Sequence, residues 1–260
     1  MNRMTRVFTE MKERGEKVNV LYFPVGDPAL GDSVELAETY YDAGCTVLEI
    51  GLPYEEPYLD GKTVRDSMKR VLKAVNLEEV FGILKAIRKK CPDKIMQVMT
   101  YYGNIEKYGI KRFAEIMNEI GIDAVLTPDA AKEKIAELDV ELGNYDIIHL
   151  RFMPYSLKEE DLEDCRTHAK GYIFSQAVNG GTGTQTSVDP HVAENIKLLR
   201  ECGAQALIVP GFGISDAAQA KEVLDMGADG FVIGSAILSH FLNGDGEDFI
   251  RSIREVCLAV

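Results

Sequence analysis

The feature that most constrains this chain is an alternation. Short apolar runs rich in β-branched residues recur at residues 18–25, 47–50, 95–100, 124–126, 147–152, 172–174, 206–209 and 230–233. Amphipathic stretches of helical period follow them at 32–42, 77–90, 110–120, 132–141, 158–168, 190–202, 217–226 and 249–257. Alternating strand and helix signals mark βα units around a parallel sheet. The stretch 110–120 shows the period plainly, with Ile110, Phe113, Ala114, Met117 and Ile120 on one face. Eight such units in 260 residues predict a single domain, residues 1–260, folded as a TIM-type (β/α)8 barrel. The alternative is an open, doubly wound sheet. Two additions interrupt the repeat: an extra N-terminal helix at 1–13 and a short inserted helix at 64–71.

Composition narrows the function classes. Forty-two acidic against 29 basic residues give a net charge of −13, which repels nucleic acid and anionic membranes over long range. A small anion is still accommodated, because backbone N–H groups at a helix start bind phosphate locally. Residues 1–17 lack the apolar centre of a secretory signal and no apolar stretch is long enough to span a bilayer, so a cytoplasmic protein is expected. The five cysteines are scattered and odd in number, as suits free thiols, and no histidine stands at metal-ligand spacing from a cysteine or another histidine.

In a barrel of this kind the chemistry sits at the C-terminal ends of the strands. After the seventh run comes Pro210-Gly211-Phe212-Gly213-Ile214-Ser215, and after the eighth Gly234-Ser235-Ala236, which opens a short helix at 236–241. Glycines allow close backbone approach, and loops after strands seven and eight with an added helix start form the recurrent barrel phosphate site. The sixth-strand loop, 178–184, is glycine-rich and long enough to act as a lid. In Val47-Leu48-Glu49-Ile50 the two-residue period sets Glu49 opposite Leu48 and Ile50, hence inside the barrel. A carboxyl there has its pKa raised by desolvation, as a proton shuttle needs. Asp60 lies in an acid-rich loop, where most acids are merely solvated.

These motifs, in this order and over nearly the whole chain, resemble the tryptophan synthase alpha chain family: Gly26-Asp27-Pro28, Leu48-Glu49-Ile50-Gly51-Leu52-Pro53, Asp60-Gly61, Tyr102 and Asn104, Gly180 with Thr182-Gly183, Gly211 to Ser215, and Gly234 to Ile237. The resemblance implies retro-aldol cleavage of indole-3-glycerol phosphate to indole and glyceraldehyde 3-phosphate. It implies Glu49 as the proton shuttle and Asp60 as acceptor of the indole N–H. It further implies a substrate pocket of Tyr22, Thr100, Tyr102, Phe174, Thr182 and Phe212, and a phosphate site of Gly183, Gly213, Gly234 and Ser235. No metal or cofactor is implied in this chain; pyridoxal phosphate belongs to the beta subunit, the expected partner in an α2β2 assembly, which loop 53–60 would contact. Tyr22 and Thr100 depart from the residues usual in the family and are expected to make the ring slot more polar, and Glu55-Glu56 alters the loop that would face the beta subunit. The competing readings are a barrel lyase or isomerase for another small phosphorylated substrate, and a non-catalytic regulatory partner of a beta subunit.

Overall fold

The computed structural model describes residues 1–178 and 188–258. In chain order the elements are α1 (Arg3–Glu13), β1 (Val18–Phe23), α2 (Ser33–Ala43), β2 (Val47–Gly51), α3 (Lys62–Ala74), α4 (Leu77–Lys90), β3 (Ile95–Met99), α5 (Tyr102–Tyr108), α6 (Ile110–Ile120), β4 (Ala124–Leu126) and α7 (Lys132–Gly143). They continue as β5 (Ile148–His149), β6 (Arg151–Met153), α8 (Glu159–His168), β7 (Tyr172–Gln176), α9 (His191–Glu201), β8 (Leu207–Gly211), α10 (Ala217–Asp225), β9 (Gly230–Ile233), α11 (Ser235–Asn243) and α12 (Gly246–Leu258).

Every strand pairing is parallel, in the orders β5-β4-β3-β2-β1-β9 and β6-β7-β8. The two sheets are arcs of one cylinder. β5 and β6 are halves of the run expected at 147–152, separated at Leu150, whose N–H still donates to the Val125 carbonyl at 2.9 Å. The seam between β8 and β9 is closed by Asp229. Its N–H donates to the Ile208 carbonyl at 2.9 Å, its carboxylate accepts the Ile208 N–H at 2.8 Å, and its carbonyl accepts the Val18 N–H at 3.0 Å. The result is a (β/α)8 barrel, the architecture expected from the eightfold alternation.

Strands β1 to β5 and β9 are buried along their full length, as expected when helices cover the outside of a parallel barrel and side chains fill the inside. Local signals set the helix ends. Asn76 and Glu79 form a reciprocal capping box at the start of α4, with bonds of 3.0 and 2.8 Å. Gly44 ends α2 in the left-handed conformation with φ 113°, where a side chain would also strike Arg254. Helix α1 lies across the end of the barrel remote from the strand C-termini. Met4, Phe8 and Met11 are its buried face, and Asn2 ties it down through bonds to the carbonyls of Asp123 and Asp146 at 2.8 and 2.7 Å. That plug leaves the opposite mouth as the open one. Two elements differ from expectation: α3 is longer than 64–71, and α5 follows β3 where no helix was anticipated.

Candidate active site

At the C-terminal mouth, three adjacent strands bring polar side chains to one level. The register pairs Tyr22 of β1 with Glu49 of β2, and Glu49 with Gln97 of β3. Residues in register on neighbouring strands point the same way, so all three enter the barrel, as the two-residue period predicts for Glu49. Glu49 is 4% exposed and lines a cavity with Tyr22, Asp60, Tyr101, Phe174 and Phe212, among others. Its Oε1 accepts a bond from Gln97 Nε2 at 3.0 Å. Burial raises the Glu49 carboxyl to about 7. The Gln97 bond acts against that rise, and the nearby Asp60 charge adds to it.

Asp60 sits on the loop between β2 and α3 and is equally enclosed, at 8% exposed. The Tyr101 hydroxyl donates to its Oδ2 at 2.7 Å and accepts the Leu59 N–H at 3.1 Å. Tyr101 is itself held between two rings, stacked on Tyr54 at 5.0 Å between centroids and tilted against Tyr58 at 5.4 Å. Burial lifts Asp60 to about 6, with the Tyr101 bond opposing the lift. Two carboxyls with pKa values near neutrality thus share one cavity, an arrangement that keeps one as acid and the other as anion.

The rest of the wall is apolar. Phe152, Phe174 and Phe212 form a ring cluster with centroids 5.3 to 6.0 Å apart. Two glycines make room for the rings: a Cβ on Gly51 would lie 2.4 Å from the Tyr22 ring, and one on Gly211 would lie 2.4 Å from Phe174. Phe212 adopts φ 75°, a conformation L side chains rarely take, and Gly213 follows at φ 83°. Such a turn costs on the order of 1–3 kcal/mol at a non-glycine residue, and strain of this kind clusters at ligand sites.

The same cavity is lined by Gly213, Gly234 and Ser235. Ser235 opens α11, whose first N–H groups have no carbonyl one turn back to bond to. The Ser235 hydroxyl oxygen is buried and has no hydrogen-bond partner. A helix start and an unpartnered buried hydroxyl at one cavity are features that favour a bound anion.

The site therefore gathers Tyr22, Glu49, Asp60, Phe174, Phe212, Gly213, Gly234 and Ser235 in one cavity wall. Thr182 and Gly183 lie outside the described residues. Thr100 and Tyr102 are not in the wall. Gln97, Met99 and Tyr101 share the inward side of β3 and its extension, which turns Thr100 and Tyr102 away. The Thr100 hydroxyl bonds the Tyr101 carbonyl and Asn104 Nδ2, both at 3.3 Å. Tyr102 starts α5, its N–H donating to Asp129 Oδ1 at 2.8 Å. Of the two residues expected to make the ring slot polar, only Tyr22 reaches it. Counting by twos from Met99 reaches Tyr101, the tyrosine of this segment that lines the cavity. Gln97 was also overlooked, although a glutamine in an otherwise apolar strand is a signal of the same kind as Glu49. Among the described residues, no group of three or more His, Cys, Asp or Glu side chains converges as a metal site, and no helix is long and apolar enough to cross a membrane.

Comparison with known proteins bears on this geometry. The family model of the tryptophan synthase alpha chain matches residues 8–255. The chain is 32% identical to the tryptophan synthase alpha chain of Pelobacter propionicus, over 98% of this chain and 97% of the relative. It is 30% identical to that of Geobacter sulfurreducens, over 98% of each. Among solved structures, a chain from Aquifex aeolicus VF5 superposes with a TM-score of 0.90 at 27% identity, covering 99% of both chains. A chain of Mycobacterium tuberculosis tryptophan synthase superposes with a TM-score of 0.89 at 21% identity over 98% of both, a likeness of fold. With the match running across nearly the whole sequence, this chain belongs to the tryptophan synthase alpha chain family.

Proposed function

We propose that this cavity carries out the reaction of the family, cleavage of indole-3-glycerol phosphate into indole and glyceraldehyde 3-phosphate, with Glu49 and Asp60 as its catalytic residues. The amides at Gly213, Gly234 and Ser235, with the Ser235 hydroxyl, take the phosphate. The indole ring occupies the space between Phe174, Phe212 and Tyr22, and its N–H is directed to Asp60.

Protonated Glu49 gives its proton to indole C3, and ionised Asp60 stabilises the positive charge that develops across the ring nitrogen. Glu49, now a carboxylate, removes the proton from the side-chain hydroxyl next to C3. The C–C bond then breaks, its electrons return to the ring, and the hydroxyl carbon leaves as the aldehyde of glyceraldehyde 3-phosphate. Glu49 ends protonated, as it began. The sequence uses no cofactor in this chain. Pyridoxal phosphate would belong to a beta subunit that receives the indole, and the exposed loop bearing Glu55, Glu56 and Tyr58 is the surface proposed to meet it.

The observation that carries this reading is the shared cavity: two carboxyls of raised pKa and the residue with an unpartnered hydroxyl at a helix start line one largely apolar wall. The test is turnover of indole-3-glycerol phosphate by the purified chain, read as glyceraldehyde 3-phosphate release. Release that disappears in Glu49→Gln supports the reading; phosphate-ester binding without cleavage contradicts it.

A further inference from the structure

Gln97 is wholly buried inside the barrel, and both ends of its amide are engaged. Its Nε2 donates to Glu49 Oε1 at 3.0 Å, and its Oε1 accepts the Tyr172 hydroxyl at 2.6 Å from β7, across the barrel. We infer that Tyr172 and Gln97 form a positioning relay that fixes one oxygen of Glu49, leaves the other to face the substrate, and stabilises the carboxylate formed when Glu49 gives up its proton. The inference rests on the proposed role of Glu49.

The argument turns on which way the amide points. Burial drives the Tyr172 pKa far above its ordinary value, so its hydroxyl keeps its proton and donates. An amide that accepts at Oε1 must present Nε2 to Glu49. A donor at that position favours the ionised carboxyl over the protonated one. Remove the Tyr172 hydroxyl and the amide is free to present either end to Glu49, which weakens the preference for the carboxylate without abolishing it. Tyr172 therefore acts on Glu49 only through Gln97. The other groups facing Glu49 are Tyr22 from β1 and Asp60 from the loop after β2. Neither is bonded to Gln97, so they remain a constant background when the relay is cut.

The test compares Gln97→Met, Tyr172→Phe and the double variant. Each is titrated by carbon NMR of glutamate carboxyls, with Glu49→Gln assigning the resonance, and each is assayed across pH. Gln97→Met should move the Glu49 titration up by about one pH unit. It should lower kcat about tenfold, because a weaker acid protonates C3 more slowly, while KM stays within about twofold. Tyr172→Phe should give a smaller shift in the same direction and no additional shift in the Gln97→Met background. A Glu49 midpoint unchanged in Gln97→Met, or a Tyr172→Phe shift that persists in the double variant, overturns the relay. The NMR midpoint reports on Glu49 whether or not the chain turns over substrate, so failure of the relay and failure of the proposed reaction are separate results.

Discussion

Replacing Glu49 by glutamine should stabilise the protein, and by an amount set by pH. Burial holds the Glu49 carboxyl at about 7 against 4.5 for a free glutamate side chain. That difference of about 2.5 pH units, at about 1.36 kcal/mol for each, makes ionised Glu49 cost the folded state about 3 kcal/mol. The sign follows from proton counting. Between about 4.5 and 7 the unfolded chain has released the proton and the folded chain has kept it, so stability falls as pH rises through that window. Below it both states hold the proton and the cost vanishes. Glutamine has nearly the same shape, can still accept the Gln97 bond, and carries no charge at any pH. Denaturant unfolding of wild type and Glu49→Gln should therefore coincide near pH 4.5 and separate by about 3 kcal/mol, in favour of the variant, at pH 8.5. A variant that is less stable at pH 8.5, or a difference that does not change with pH, would refute the claim that this carboxyl is desolvated in the barrel.

Three further substitutions probe the rest of the site. Tyr101→Phe removes the bond that holds Asp60 ionised; the acid limb of the pH profile should rise above about 6 and kcat should fall about tenfold, measured by steady-state turnover. Ser235→Ala deletes a hydroxyl that has no partner in the protein, so thermal stability should hold or improve by up to about 1 kcal/mol, while KM for the phosphorylated substrate rises about tenfold. Tyr22→Phe removes the hydroxyl at the ring slot and should tighten indole binding about fivefold by calorimetry; unchanged affinity would place the ring elsewhere.

Much of this was legible in the sequence because periodicity reports on burial. Eight apolar runs gave eight strand positions, and α4 and α6 begin and end where their patterns do. Glu49 could be pointed inward from four residues alone, since a slip of one would have turned Leu48 and Ile50 into the barrel and Glu49 against the covering helices. Past the end of β3 the same two-residue period puts Met99 and Tyr101 in the wall, where the resemblance implies Thr100 and Tyr102. The Tyr172–Gln97–Glu49 chain was out of reach for a different reason. Its members are 75 and 48 positions apart, and only closure of the cylinder brings β7 opposite β3. Asp60 was ambiguous because loop acids are usually solvated. Its partner in the folded chain is the Tyr101 hydroxyl, 41 positions away, a contact that leaves no periodic trace.

The most direct measurement is kcat/KM for indole-3-glycerol phosphate as a function of pH. With Asp60 required as the anion and Glu49 required as the acid, the profile should be a narrow bell with limbs near 6 and 7, and Glu49→Gln should abolish it. A profile flat across that range, or cleavage that survives in Glu49→Gln, would contradict a mechanism built on two buried carboxyls in opposite protonation states.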